Sequence, residues 1–170
     1  FARMAGAYPV VAVDLVDGRL EAARESGATH VVNAARENVI DSVRDITGGD
    51  GARVVFLTAP VPALLPDCMR VCSHGGTVAV TASHRAGVEI TLQDDLLRRE
   101  VNVIGTYQAG YPRLPYHGFR WTRGENRRYA LELMRRDELR VAHLISHRVP
   151  YDQAPAMYDL IARGPHGWLG

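Results

Sequence analysis

Asp14 closes the stretch Pro9-Val10-Val11-Ala12-Val13-Asp14, and Leu15-Val16 leads from it into Asp17-Gly18-Arg19-Leu20. The apolar run Val10 to Val13 is continuous rather than alternating, so it reads as a strand buried on both faces of a sheet. An acid at the carboxyl end of such a strand lies at the rim where open α/β sheets bind ligands. A carboxylate there can accept hydrogen bonds from ribose hydroxyls, as in dinucleotide-binding folds. The same acid could instead start a turn or cap the following helix. One acid after one strand does not decide between the two.

Other candidate chemistry is sparse. There is no Cys-x-x-Cys, no His-Glu-x-x-His and no Gly-x-Ser-x-Gly. Cys68 and Cys72 are spaced one helical turn apart and could chelate a metal, but their apolar neighbours favour core packing. His143 and His147 fall on the same side of a strand if one forms there, and surface or loop positions are the better reading. Ser83-His84 follows a strand end, which places it near a rim and says nothing by itself about catalysis. No Gly-x-Gly-x-x-Gly is present. Gly48-Gly49-Asp50-Gly51 follows a helix and precedes a strand, the wrong side of a sheet for cradling phosphate, so it reads as a connector.

The elements that would position these residues alternate. A strand at 9–14 precedes a helix from about Asp17 to Ser26, with Asp17 as its cap and Gly27 as its stop. His30 to Asn33 is a short strand, and 36–47 a helix with Val39, Ile40, Val43 and Ile46 at helical spacing. Val54 to Leu57 is a strand. Pro62 opens a helix to about Ser73 that carries Leu65, Met69 and Cys72. Thr77 to Thr81 is the next strand. Val88 to Leu92 reads as extended, Asp94 to Arg99 as a helical turn, and Val101 to Thr106 as a strand. Residues 107–122, with Tyr111, Tyr116, Phe119 and Trp121, read as a functional loop or packed lid. A helix at about 124–136, a strand from His143 to Val149 and a helix from Asp152 to Arg163 complete the chain. Strands alternating with helices imply right-handed βαβ units and a parallel sheet.

The chain's 170 residues suffice for one domain with a core. A net charge of +1 gives no electrostatic case for nucleic acid or an anionic membrane surface. No apolar run approaches a membrane span. Two cysteines in one predicted helix do not form a disulfide framework, so a cytoplasmic setting is expected. The opening Phe1-Ala2-Arg3-Met4-Ala5-Gly6 reads as the last turns of a helix stopped by Gly6. A fragment of a longer protein is expected.

Taken in order, these segments resemble the cofactor-domain half of the medium-chain, zinc-dependent alcohol dehydrogenases, a group that includes sorbitol and threonine dehydrogenases. Phe1 to Ala7 is similar to the end of the helix after the family's glycine turn. Val13-Asp14 with Arg19, Ala22 and Ala23, then Gly27-Ala28-Thr29, resembles the ribose-binding strand, helix and exit. Val54-Val55-Phe56 with Thr58-Ala59, and Gly75-Gly76-Thr77-Val78, resemble the strands flanking the cofactor. Leu144 to Pro150 and Ala154 to Ile161 resemble the return into the catalytic domain.

The resemblance implies an α/β, Rossmann-type doubly wound parallel sheet, truncated at its N-terminus so that the first strand and glycine turn are missing. It implies an incomplete dinucleotide-binding domain over 1–142 and a return segment over 143–170. Asp14 would bind the adenosine ribose hydroxyls, with Arg19 beside the adenosine. Thr58 and Ala59 would lie near the cofactor riboses. Val80, Thr81 and Ala82 would run along the nicotinamide, and Thr106 and Tyr107 would sit near its carboxamide. NAD is favoured over NADP, because a carboxylate facing the ribose repels a 2′-phosphate; Arg19 is the residue that argues the other way. Zinc, its ligands and the catalytic residues would lie in a missing upstream domain, so this fragment alone would be inactive. A small alcohol or polyol is the implied substrate. A homodimer or homotetramer through the edge strand near 101–106 is the implied assembly. Gly164-Pro165-His166-Gly167-Trp168 departs from the basic residue the family often carries near the cofactor phosphates.

Three rivals stay open at this stage. One is a zinc-free, NADPH-dependent quinone-type reductase of the same superfamily, which would usually lack an acid at position 14. Another is a non-catalytic Rossmann module kept for dimerisation. The third, weaker, is a methyltransferase-like fold binding S-adenosylmethionine.

Overall fold

The structure, a computed structural model, describes residues 1–106 and 121–163. Tyr107, most of the aromatic segment 107–122 and the Gly164 to Trp168 stretch lie outside the described residues. The chain divides into two compact units, Phe1–Glu37 with Leu133–Gly170, and Asn38–Glu132.

In the first unit, β1 (Val11–Asp14) pairs in parallel with β2 (His30–Asn33), Val13 opposite Val32 and Asp14 opposite Asn33. The crossover between them is α1 (Asp17–Glu25), whose Leu20 and Ala22 are buried. Asp17 is the first residue of this helix and Val16 its cap, with no side-chain capping bond. The expected Asp17 cap is therefore not made; as shown below, its carboxylate is engaged elsewhere. Thr29 fixes the strand register, accepting from the Val10 N–H at 2.9 Å and donating to the Val10 carbonyl at 3.0 Å. At the amino end, one helical turn closes with Gly6 N–H to the Arg3 carbonyl and Ala7 N–H to the Ala2 carbonyl, Gly6 standing at φ +84°. That pair of bonds is the glycine-terminated helix ending expected there.

The expectation of a strand buried on both faces fails at Val13, which is 44% exposed. Among the described residues of this unit the two-stranded sheet packs on α1, and one helix covers one face.

The second unit holds a three-stranded parallel sheet in the order β3 (Ala52–Leu57), β4 (Cys72–Val80), β5 (Asn102–Gly105). α2 (Val39–Ile46) precedes it, capped by Asn38, whose side chain accepts from the Ile40 and Asp41 N–H groups. A 3₁₀ turn at Pro62–Leu64 leads into α3 (Leu65–Val71). Val55 pairs with Val78 and Leu57 with Val80, so these four share one face. Leu57, Met69, Cys72, Val78 and Val101 form the core on that side, with Val55, Leu65, Cys68, Val80 and Leu96 against it. Gly51 approaches this core so closely that a Cβ would stand 2.5 Å from the Val71 carbonyl oxygen.

Three local expectations are corrected. Cys72 opens β4 rather than ending a helix with Cys68, because α3 stops at Val71 and Cys72 is captured by pairing with Ala52. The helical turn expected at Asp94 to Arg99 lies two residues earlier, as a π-helical turn at Leu92–Leu97, so Leu92 belongs to it rather than to the extended piece, while Thr91 before it is extended. His143 to Val149 is not a strand: Ala142–Leu144 is a 3₁₀ turn and the rest has no regular structure. A strand needs a neighbour's ladder, and among the described residues no strand pairs with this segment.

α4 (Arg123–Arg135) opens with a reciprocal capping box, Thr122 N–H to Glu125 Oε2 at 2.7 Å and Glu125 N–H to Thr122 Oγ1 at 3.2 Å. These bonds hold the Glu125 carboxyl below its ordinary pKa, the Thr122 backbone bond foremost. A 3₁₀ turn at Tyr151–Gln153 and α5 (Ala154–Ala162) end the described chain.

Candidate functional site

At the carboxyl end of β1, Asp14 turns its carboxylate back on the chain. Oδ1 accepts the N–H groups of Leu15 at 2.8 Å and Val16 at 2.9 Å. These two bonds fill that oxygen's lone pairs and set the turn into α1. Oδ2 makes neither bond and stands 3.7 Å from Nη1 of Arg19, one turn into the helix. Asp14 thus builds the turn with Oδ1, the second of the two readings the sequence left open, while Oδ2 lies beside Arg19 at the end of β1.

Three residues on, Asp17 belongs to a second acid–base set. Its Oδ1 accepts from Asn33 Nδ2 at 2.7 Å, and the Arg36 guanidinium grips both its oxygens, with Nη1 to Oδ2 at 3.0 Å. Arg36 first, then Asn33, hold the Asp17 carboxyl below its usual range, and Asp17 raises Arg36 in turn. Asn33 is 4% exposed and ends β2 directly beside Asp14 in the register. Its backbone N–H goes to Glu37 Oε1 at 2.9 Å. Sequence reasoning read Asp17 only as a cap and missed Asn33 and Arg36. An asparagine closing the second strand, with an arginine three residues later, was the available signal.

In the second unit, the expected site residues stand at the carboxyl ends of the strands. Thr58, exposed, and Ala59, half-buried, follow β3. Thr81 and Ala82 follow Val80, the last residue of β4, and both donate their N–H to the Leu57 carbonyl, at 3.1 and 3.3 Å. The Thr81 hydroxyl donates to the same oxygen at 3.0 Å. Thr106 follows β5, and its N–H and hydroxyl both donate to the Val80 carbonyl at 3.0 Å. The two hydroxyl protons therefore lock adjacent strand ends together. Each oxygen keeps lone pairs, so both threonines remain acceptors at the rim.

The remaining candidates separate. His143 Nε2 lies 2.7 Å from Ser26 Oγ, whereas His147 Nδ1 lies 2.9 Å from Ser146 Oγ, so the two histidines do not share a site. Cys68 and Cys72 are free thiols, and burial pushes both up to about 11. Among the described residues no group of three or more His, Cys, Asp or Glu could hold a metal ion.

Residues 1–119 match the model of a family described as zinc-binding dehydrogenase. The chain belongs to this family. It is 25% identical to an L-threonine 3-dehydrogenase of Bacillus licheniformis, over 98% of this chain and 44% of that protein. It is 28% identical to a D-xylulose reductase of Saccharomyces cerevisiae, over 94% of this chain and 42% of that protein. Among solved structures it is similar to an alcohol dehydrogenase zinc-binding domain protein from Burkholderia ambifaria, with a TM-score of 0.74 and 25% identity over 95% of this chain and 41% of that one. The chain spans less than half the length of the curated relatives it matches. The zinc-binding dehydrogenase family accounts for the parallel α/β architecture that the sequence implied. No helix among the described residues is long and apolar enough to cross a membrane.

Proposed function

We propose that this chain is the cofactor-binding portion of an NAD-dependent oxidoreductase acting on an alcohol or polyol. The observation that carries the reading is the division of labour at Asp14, with Oδ1 spent on the turn and Oδ2 left at the rim beside Arg19. A carboxylate oxygen without a backbone donor is the acceptor that a ribose hydroxyl requires. NAD rather than NADP fits the two local arginines. Arg19 faces Asp14, and Arg36 is engaged by Asp17, so each cation already stands by a carboxylate. A 2′-phosphate would have to displace one of those carboxylates and accept repulsion from Asp14.

Thr58, Ala59, Val80, Thr81, Ala82 and Thr106 would line the rest of the cofactor, the two threonines offering hydroxyl oxygens from strand ends that are already fixed. Tyr107 belongs to the same proposal. Bound NAD would supply the hydride acceptor, and this chain's part is to bind and orient it. The described residues do not fit zinc, so the metal and the catalytic residues fall to the remainder of the longer protein. Free thiols at Cys68 and Cys72 support a reducing, cytoplasmic setting. Among the described residues β5 pairs with β4 along one edge only, and all four of its residues are exposed, which supports association of two copies through it.

The test is the native protein's intact mass and zinc content on one sample, followed by a screen of small alcohols and polyols with NAD. A chain about twice this length with bound zinc and NAD-dependent turnover is expected. A zinc-free native protein preferring NADPH would replace this reading with the quinone-type reductase. Absence of nicotinamide binding altogether would leave the association module.

A further inference from the structure

We infer that Asp17 is a specificity-determining residue for the nicotinamide cofactor: by holding the Arg36 guanidinium it withholds the cation on which a 2′-phosphate could bind. The inference rests on the cofactor reading above and adds a second carboxylate to it. All the residues concerned lie in the first unit, at and just beyond the carboxyl ends of β1 and β2. Asn33 ends β2 opposite Asp14, and its side-chain amide donates to Asp17 Oδ1 at 2.7 Å and to the Leu15 carbonyl at 3.5 Å. Its side-chain oxygen accepts the Ala35 N–H at 2.9 Å. Arg36 thus meets the turn that Asp14 builds, donating from Nη1 to Asp17 Oδ2 at 3.0 Å and from Nη2 to Oδ1.

The two arginines of this rim are held unequally. Arg19 lies 3.7 Å from Asp14 Oδ2, beyond hydrogen-bond distance, whereas Arg36 makes two bonds to one carboxylate. That fork is the geometry in which a guanidinium takes either a carboxylate or a phosphate. Asp17 and a 2′-phosphate would therefore compete for the same two N–H groups. Stability gives little reason for the arrangement. The Arg36 and Asp17 side chains are 63% and 66% exposed, and surface pairs of this kind contribute little. Asp17 makes no capping bond to α1 either. A buried asparagine is nonetheless committed to fixing its position. Glu37, next to Arg36 in the chain, accepts the Asn33 N–H at 2.9 Å through Oε1. Specificity is gained by refusing one ligand as well as by accepting another. Asp14 repels a 2′-phosphate by charge, and Asp17 denies it a partner.

The experiment is calorimetric titration of the complete protein with NADH and, separately, with NADPH, for the parent, Asp17→Asn and Asp17→Asn/Arg36→Ala. Asp17→Asn removes the charge and keeps an oxygen for Asn33. With NADH as the reference within each variant, NADPH is expected to gain about tenfold in Asp17→Asn, the low end of a hydrogen bond to a charged group. The gain should vanish when Arg36 is removed as well. An unchanged ratio in Asp17→Asn would overturn the inference. So would a gain that persists in the double variant, because it would trace to relief of repulsion by Asp17 and not to Arg36. Asp17→Ser, which also leaves an oxygen for Asn33, answers the same question if Asp17→Asn folds poorly. A parent that binds neither nucleotide would remove the cofactor reading and the inference with it. A parent that binds NADH, with no shift in the variants, would remove the inference alone.

Discussion

Arg70 Nε donates to Oδ1 of Asp95 at 3.0 Å and so ties α3 to the π-helical turn through a carboxylate that is 2% exposed. The other oxygen of Asp95 accepts the Thr91 N–H at 2.8 Å. The Arg70 side chain is 47% exposed, so water reaches one side of the pair. Removing the guanidinium would leave a buried carboxylate with one backbone donor. Arg70→Ala is expected to cost about 2 kcal/mol, below the roughly 3–5 kcal/mol of a fully buried pair. That corresponds to a fall in Tm of about 4–8 °C for a chain of this size. Thermal unfolding followed by circular dichroism checks it, and a variant melting with the parent would show that the pair contributes nothing.

Asp14→Ala should separate the two jobs of this carboxylate. In the complete protein it is expected to weaken NADH about 10- to 100-fold, the loss of one or two hydrogen bonds to a charged acceptor. NADPH should lose less, because Arg19 is then free to meet the 2′-phosphate. Calorimetric titration with both nucleotides gives the two ratios. Equal losses would assign Asp14 to the turn alone.

Gly51 and Gly48 look alike in the sequence, as parts of one connector, and differ in the fold. Both have positive φ, +88° and +70°. A Cβ on Gly48 meets nothing within 4 Å, whereas one on Gly51 would stand 2.5 Å from the Val71 oxygen and 3.0 Å from Cys72. Gly48→Ala is expected to cost about 1 kcal/mol from backbone strain alone. Gly51→Ala should cost about 3 kcal/mol or more, since β3 and α3 must move apart. Denaturant midpoints of the two variants, compared with the parent, measure the difference.

The sequence made the order of elements legible because each helix is bounded by a glycine, a proline or a cap, and the strands are short apolar runs. It was less informative wherever pairing decides. Cys72 continues a helical pattern and is nonetheless drawn into β4 by Ala52 across the sheet. Residues 143–149 read as a strand in the sequence and form none. The site was half legible. An acid after a strand marks Asp14 by position, since the rim of a parallel sheet follows from chain order. The Asp17–Asn33–Arg36 set joins residues 16 to 19 positions apart, and no local spacing announces it.

The two cysteines set an alkaline limit on stability. Burial, aided by Asp67 at Cys68 and by Cys68 at Cys72, lifts both thiols from 9.0 to about 11. A raised folded-state value means that the native chain keeps protons that the unfolded chain has lost. The stability these thiols contribute is therefore complete below pH 9 and is lost as pH rises toward 11. Each should account for roughly 2–3 kcal/mol over that window. Chemical denaturation between pH 8 and about 11 is expected to show the midpoint falling, with a smaller fall in Cys68→Ala/Cys72→Ala. Slow alkylation of the folded chain at neutral pH is expected for the same reason.

β5 offers a way to test association without disturbing the fold. The Thr106 N–H bonds to Val80 of β4, and along a strand successive N–H groups point to opposite edges. Asn102 and Ile104 therefore share the direction of Thr106, and the N–H of Val103 points to the opposite edge, which no strand pairs among the described residues. Val103→Pro removes that outward donor and leaves the β4 ladder its own bonds, a position where an edge strand accepts proline. If two copies join through this edge, sedimentation should show the variant as a monomer where the parent is a dimer. Its circular dichroism and Tm should stay close to those of the monomeric parent at high dilution. An unchanged dimer in Val103→Pro would move the interface away from β5, and a variant that unfolds would show that Val103 serves the sheet rather than the partner.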